Sequence, residues 1–127
     1  MQRLQLLVID DEPAILALIK RVGEACGYTV FATSRARDFK QLFLSTQFDF
    51  IALDLGMPDI DGIELLRFLA EEQCQSQLVI ISGFDRRILD TALRLGEALG
   101  LKIAGTFAKP VKIATLRSLL TRPGEAA

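Results

Sequence analysis

The chain of 127 residues has the size of a single domain, and its 50% content of hydrophobic residues can supply a buried core. Fifteen basic residues against 16 acidic ones give a net charge of -1, which excludes a strong overall attraction to nucleic acid or to an anionic membrane. The apolar start is too short for a signal peptide, and no later run is long enough to cross a bilayer. We therefore expect one cytoplasmic domain over residues 1–121 and a flexible tail over residues 122–127.

Short apolar runs alternate along the chain with longer segments in which apolar residues recur at helical spacing. The runs predict five strands, over residues 4–9, 28–33, 48–55, 78–82 and 103–107. The longer segments predict five helices: one from Pro13, one marked by Phe39, Leu42 and Phe43, one after an N-cap at Asp61, one from Arg86 and one from Ile113. Strands that alternate with helices through short loops predict an α/β fold, a doubly wound (βα)5 domain of the flavodoxin-like type. Its parallel five-stranded sheet is expected to have the order 2-1-3-4-5.

Polar side chains capable of handling a phosphoryl group lie where four of these strands end. Asp10 and Asp11 follow the first strand, and Asp54 lies near the end of the third. Ser82 closes the fourth strand, and Lys109 follows the fifth. In an open parallel sheet, ligands bind outside the carboxyl ends of the strands. Groups scattered over a hundred residues are therefore expected to meet in one small site.

The three aspartates Asp10, Asp11 and Asp54 indicate a cation site, because neighbouring carboxylates repel one another unless they are protonated or bound to a cation. The chain has no histidine and no usefully spaced cysteine pair, so oxygen ligands favour Mg²⁺ or Mn²⁺ over zinc. A structural alternative remains open for the acidic run, since Asp11 or Glu12 could be the N-cap of the helix that starts at Pro13.

Asp54 is the candidate nucleophile, since a carboxylate beside Mg²⁺ can attack phosphorus and form an acyl phosphate. Lys109 would supply positive charge to a phosphoryl oxygen, and Ser82 would donate a hydroxyl. Each residue also has an ordinary interpretation: a residue that caps a turn, a solvated lysine and a turn serine. The prediction of a phosphoryl site therefore depends on the combination of these residues and not on any one of them.

The segments VIDDEP, LDLGMPDIDGIELL, IISG and FAKP resemble, in this order, the receiver domain of two-component response regulators. The resemblance covers nearly the whole chain. It implies that Asp54 accepts a phosphoryl group from a histidine kinase or phosphotransfer protein. It also implies that Asp11, Asp54 and the backbone carbonyl of Gly56 bind Mg²⁺ directly, and that Asp10 contacts the ion through water.

The same resemblance assigns Lys109 to the phosphoryl group and places Ser82 and Phe107 at the switch positions. The Lys109–Pro110 bond is often cis in such domains. Phosphorylation would change the surface of the fourth helix, fifth strand and fifth helix, so the domain acts as a switch and is not an enzyme in the usual sense. Because Gly56 has no side chain and the side chain of Phe84 is apolar, neither can orient a water molecule, and we expect a long-lived acyl phosphate.

The chain departs from the common receiver pattern between Ser82 and Lys109. Gly83 stands where alanine is usual, and the stretch is longer by more than one helical turn, which predicts an extended fourth helix. This segment is similar to receivers attached to EAL-type cyclic-di-GMP phosphodiesterase domains. We therefore expect such an output domain or effector, or a homodimer, as a partner, and no direct binding of nucleic acid or membrane.

Three other functions are alternatives to a phosphoacceptor. A haloacid-dehalogenase-type hydrolase needs a second acid two residues after its nucleophile, where this chain has Gly56. A flavin or dinucleotide module needs a phosphate-binding first loop, but the sequence DDEP places negative charge there. A phosphorylation-independent pseudo-receiver, an interaction module, is the main alternative, although such proteins usually lack one of the key residues.

Overall fold

The computed structural model describes residues 3–83 and 86–121. Within these residues there are five strands: β1 (Leu4–Ile9), β2 (Tyr28–Thr33), β3 (Phe50–Asp54), β4 (Gln77–Ser82) and β5 (Lys102–Ala108). Five helices alternate with them: α1 (Pro13–Ala25), α2 (Ala36–Ser45), α3 (Gly62–Glu71), α4 (Arg86–Ala98) and α5 (Ile113–Leu120). The tail predicted over residues 122–127 lies outside the described residues, and so does Phe84.

All strand pairings are parallel, and the sheet has the order β2-β1-β3-β4-β5. This confirms the predicted fold class. The central strand β3 is buried along its whole length, because helices cover both faces of the sheet.

Alternate residues of the strands point into two separate hydrophobic clusters, as the period of two in a strand requires. One cluster contains Leu7, Ile51 and Leu53 of the sheet together with side chains of α2, α3 and α4. The other contains Val8 and Ala52 together with side chains of α1 and α5. The sheet is therefore held between two layers of helices, which leaves the carboxyl ends of its strands open to a ligand.

Strand β3 begins two residues later than predicted, at Phe50 instead of Phe48. Asp49 explains the difference. Its carboxylate accepts the backbone N–H of Gln5 at 2.7 Å, and its own N–H donates to the Gln5 carbonyl at 2.8 Å. A side-chain oxygen thus takes the place of a main-chain acceptor at this edge of the ladder.

The helix termini follow the local sequence signals. Asp61 caps α3, since its Oδ1 accepts the backbone N–H groups of Ile63 and Glu64 at 3.0 and 3.3 Å. Helix α4 has 13 residues, and its extension relative to other receiver domains stays a prediction. It ends at Ala98, before Gly100, whose positive φ of 83° suits the residue that follows a helix.

In the described part of the chain, no helix combines the length and apolar character needed to cross a membrane.

Candidate functional site

Two buried carboxylates lie side by side at the carboxyl edge of the sheet. Asp10 follows β1 and Asp54 ends β3, and these neighbouring strands are paired up to Ile9 and Leu53. The side chain of Asp10 is 0% exposed and that of Asp54 is 1% exposed. Adjacent strand ends therefore bring together two acidic groups that are far apart in sequence, as predicted.

Each of the two carboxylates is oriented by a backbone N–H two residues further along the chain. Asp10 Oδ1 accepts from the Glu12 nitrogen at 2.8 Å, and Asp54 Oδ1 accepts from the Gly56 nitrogen at 2.8 Å. These local turns are typical of aspartate at the end of a strand. The second oxygen of each group is thereby left for another partner.

Lys109 is the cation that links the two carboxylates. Its backbone N–H donates to the Ser82 carbonyl at 2.8 Å, and the Lys109–Pro110 peptide bond is cis. Its Nζ lies 3.1 Å from Asp54 Oδ2, 3.3 Å from Asp10 Oδ2 and 3.0 Å from Glu12 Oε1. The ammonium group thus contacts three carboxylates at once.

Burial and charge shift two pKa values in this cluster. Burial is the main reason that the pKa of Asp10 rises to about 6, and the Asp54 carboxylate shifts it in the same direction. Burial alone would lower the pKa of Lys109, but hydrogen bonds to Glu12 and Asp54 and the nearby negative charges raise it overall. Lys109 is therefore charged at neutral pH, and its contact with Asp10 only partly offsets the effect of burial on the Asp10 carboxylate.

The other residues predicted for the site lie around this cluster. Ser82 is buried at the end of β4, next to β3, whose Asp54 is paired with Ile81. Phe107 is half-buried on β5 and lines a shallow groove beside α5. A Cβ atom placed on Gly56 would lie 3.3 Å from Asp54 Oδ1, so the backbone approaches the carboxylate closely there.

The acidic groups are chemically suited to a hard cation. Carboxylate oxygens of Asp10, Asp11 and Glu12 lie within 4.8 Å of one another. Asp10 Oδ2 is buried and has no hydrogen-bond partner among the described residues. The Lys109 ammonium forms an ion pair with this oxygen at 3.3 Å but no hydrogen bond, so the oxygen can still accept a second partner, such as a cation or a water molecule. The site therefore fits a divalent ion. Asp54 does not belong to this group of three close carboxylates, but it contacts the same lysine, Lys109.

The sequence patterns missed the role of Glu12, which they treated only as a possible N-cap. Glu12 does occupy the N-cap position of α1, but its side chain makes no capping hydrogen bond within the described residues. The carboxylate contacts Lys109 instead. The signal that could have indicated this is a third acid directly after the pair Asp10–Asp11.

The sequence model of the response regulator receiver domain matches residues 6–121. The chain belongs to this family. The chain is 27% identical over 119 residues to the transcriptional regulatory protein TrcR of Mycobacterium tuberculosis, and 29% identical over 122 residues to the positive alginate biosynthesis regulatory protein of Pseudomonas aeruginosa. Each alignment covers 94% of this chain and 46% of the relative. The chain thus spans less than half the length of these curated relatives.

Solved structures support the same assignment. A response regulator from Colwellia psychrerythraea has 32% identity and a TM-score of 0.78, and the alignment covers 94% of both chains. The chemotaxis response regulator CheY4 of Vibrio cholerae has a TM-score of 0.78 at 21% identity, covering 94% of this chain and 97% of CheY4. The second similarity shows the fold alone. As a receiver domain, the protein is a signalling module of the two-component type.

Proposed function

We propose that this receiver domain is a phosphorylatable switch in which Asp54 accepts a phosphoryl group from a histidine kinase or a phosphotransfer protein. The observation that carries the proposal is the burial of the Asp54 carboxylate and the contacts of its two oxygens. It is buried, one oxygen is oriented by the Gly56 N–H, and the other lies 3.1 Å from Lys109 Nζ. A carboxylate positioned in this way beside a permanent cation is suited to attack phosphorus.

The transfer converts Asp54 into an acyl phosphate. One carboxylate oxygen forms a bond to phosphorus while the bond between phosphorus and the donor's imidazole nitrogen breaks. The electron pair of the broken bond stays on the imidazole, which takes up a proton from water. Lys109 donates to a phosphoryl oxygen and Ser82 offers its hydroxyl to another, so both offset the charge that the new group brings.

Mg²⁺, which Mn²⁺ can replace, is part of the proposal. Asp10, Asp11, Asp54 and the backbone carbonyl of Gly56 are the groups that would hold it. Asp10 Oδ2, which is buried and accepts no hydrogen bond from the described residues, supports a cation at this place. When bound, the ion supplies positive charge that lowers the repulsion between the acidic cluster and an anionic phosphodonor.

The signal would leave the site through Ser82 and Phe107, which change the surface formed by α4, β5 and α5. That surface would recognise an output domain or effector, such as a cyclic-di-GMP phosphodiesterase, or a second copy of the domain. The expected cytoplasmic location stays a prediction.

The test is intact mass spectrometry after incubation with Mg²⁺ and acetyl phosphate. We expect one phosphoryl adduct that is absent with EDTA and absent in Asp54→Asn. The matched control is Asp90→Asn, which removes an exposed carboxylate on α4 and should leave the adduct unchanged. The adduct should also decay slowly, because Gly56 cannot orient a water molecule.

Failure of the folded wild-type protein to form an adduct would contradict the proposal and favour the phosphorylation-independent interaction module. An adduct that persists in Asp54→Asn would place the phosphoryl group on a different residue, which would also contradict the proposal.

A further inference from the structure

Glu12 differs from the other two partners of Lys109 in its exposure. The Glu12 side chain is 55% exposed, whereas Asp10 and Asp54 are buried. Its Oε1 nevertheless makes the shortest of the three ion-pair contacts, at 3.0 Å from Lys109 Nζ. The ammonium group is therefore held by one half-exposed carboxylate together with two buried ones.

The backbone fixes the place from which Glu12 reaches Lys109. Its N–H is tied to Asp10 Oδ1 at 2.8 Å, and its extended backbone, with φ of -95° and ψ of 113°, leads directly into Pro13. A side chain at this position normally has the first free N–H groups of the helix as its partners. Here the carboxylate is directed to Lys109 instead.

We propose that Glu12 is a positioning residue that occupies Lys109 in the unphosphorylated state and so restrains phosphorylation of Asp54; this inference rests on the proposed function. An ammonium group has three N–H donors, and the three carboxylates take them. An incoming phosphoryl oxygen must displace one of the three. Glu12 is the partner that yields, because its carboxylate can turn into water, whereas the carboxylates of Asp10 and Asp54 cannot.

The negative charge of Glu12 also restrains phosphorylation, because it repels an anionic phosphodonor. Three carboxylates contact the ammonium of Lys109, and Asp11 lies close to two of them, so the ionised cluster is negative before a cation binds. Replacing Glu12 with glutamine removes one negative charge. The variant should therefore bind Mg²⁺ more weakly but react faster with an anionic donor once Mg²⁺ is saturating. For a half-exposed carboxylate we expect each change to be about three- to tenfold at low salt, and smaller at high salt.

The first measurement compares wild type, Glu12→Gln and Glu12→Asp, with Glu97→Gln as a control for one lost exposed carboxylate. The phosphorylation rate is followed against acetyl phosphate concentration at saturating Mg²⁺, and the Mg²⁺ affinity is measured by calorimetry. We expect Glu12→Gln to show a faster rate with weaker Mg²⁺ binding. Glu12→Asp keeps the charge but has a shorter reach, so it should keep the Mg²⁺ affinity and show an intermediate rate.

The second measurement needs neither metal nor donor. Lys109 is one of five lysines, and its ¹⁵N ammonium signal can be assigned with Lys109→Arg. Release from Glu12 should speed hydrogen exchange of this signal in Glu12→Gln and leave it unchanged in Glu97→Gln. A faster phosphorylation rate, weaker Mg²⁺ binding and faster hydrogen exchange of the Lys109 ammonium in Glu12→Gln would together support the proposal.

A phosphorylation rate of Glu12→Gln that is equal to or slower than that of wild type would overturn the inference, and so would an unchanged Lys109 ammonium signal. In both cases a wild-type phosphoryl adduct would still support the proposed function. Loss of the wild-type adduct would overturn both, and the two failures are therefore distinguishable.

Discussion

The replacement Lys109→Met tests how much the stability of the domain depends on the positive charge of Lys109. Methionine keeps much of the length of the side chain, which is only 13% exposed, but it carries no charge. The variant leaves the Asp10 and Asp54 carboxylates buried without their cation. Removal of one partner from a buried ion pair generally costs about 3–5 kcal/mol, because the remaining charge is uncompensated.

We expect a loss near the lower end of that range, about 3 kcal/mol in the free energy of unfolding at neutral pH. The Glu12 carboxylate, at 55% exposure, contributes little to the loss because water can replace Lys109 there. Asp10 limits the loss further, since burial already raises its pKa to about 6 and the vacated site can take up a proton. For a domain of this size the loss corresponds to a melting temperature about 10 °C lower.

The assay is urea unfolding followed by circular dichroism in EDTA and again in saturating Mg²⁺. The matched control is Lys112→Met, which removes an exposed lysine on the other side of Pro110. Bound Mg²⁺ should reduce the cost of Lys109→Met, and a second substitution, Asp54→Asn, should recover part of it. A loss below about 1 kcal/mol in EDTA, or the same loss with and without Asp54→Asn, would refute the argument.

Two further predictions concern groups away from the site. The Tyr28 hydroxyl donates to the Leu120 carbonyl at 2.8 Å inside the core, so Tyr28→Phe should cost about 1–2 kcal/mol in urea unfolding; an unchanged midpoint would contradict this. Burial raises the pKa of the Cys74 thiol, which lowers its thiolate fraction at any given pH, so a thiol reagent at pH 8 should label half-buried Cys26 first and Cys74 only after unfolding. Equal labelling rates in the native protein would argue against this difference in burial.

The order and type of the elements could be predicted from the sequence because hydrophobic period and turn residues act locally. Pro13, Asp61 and Gly100 each mark a helix end, and the structure has a helix end at each of them. The start of β3 could not be predicted from the apolar run, which begins at Phe48. It depends on the Asp49 carboxylate, which bonds to Gln5, a residue distant in sequence.

The centre of the site could be predicted for a related reason. The topology brings the ends of parallel strands together, so the positions of Asp10, Asp54 and Lys109 followed once the strands were recognised. The contact between Glu12 and Lys109 could not be predicted in this way. It depends on the direction of a side chain in a loop, and no hydrophobic period specifies that direction.

The same geometry connects the stability of the domain with its response to cations. Asp10 Oδ2 is buried, and it lies 3.3 Å from the Lys109 ammonium in an ion pair that is not a hydrogen bond. Burial of this carboxylate costs free energy that the ion pair offsets only in part, as the raised pKa of Asp10 indicates, whereas in the unfolded state water solvates the carboxylate. A cation that binds only the folded site reduces the cost and stabilises the domain by an amount that grows with the logarithm of its concentration above the dissociation constant. The buried carboxylate that lowers the stability of the cation-free domain would therefore also make the proposed phosphoacceptor site receptive to Mg²⁺.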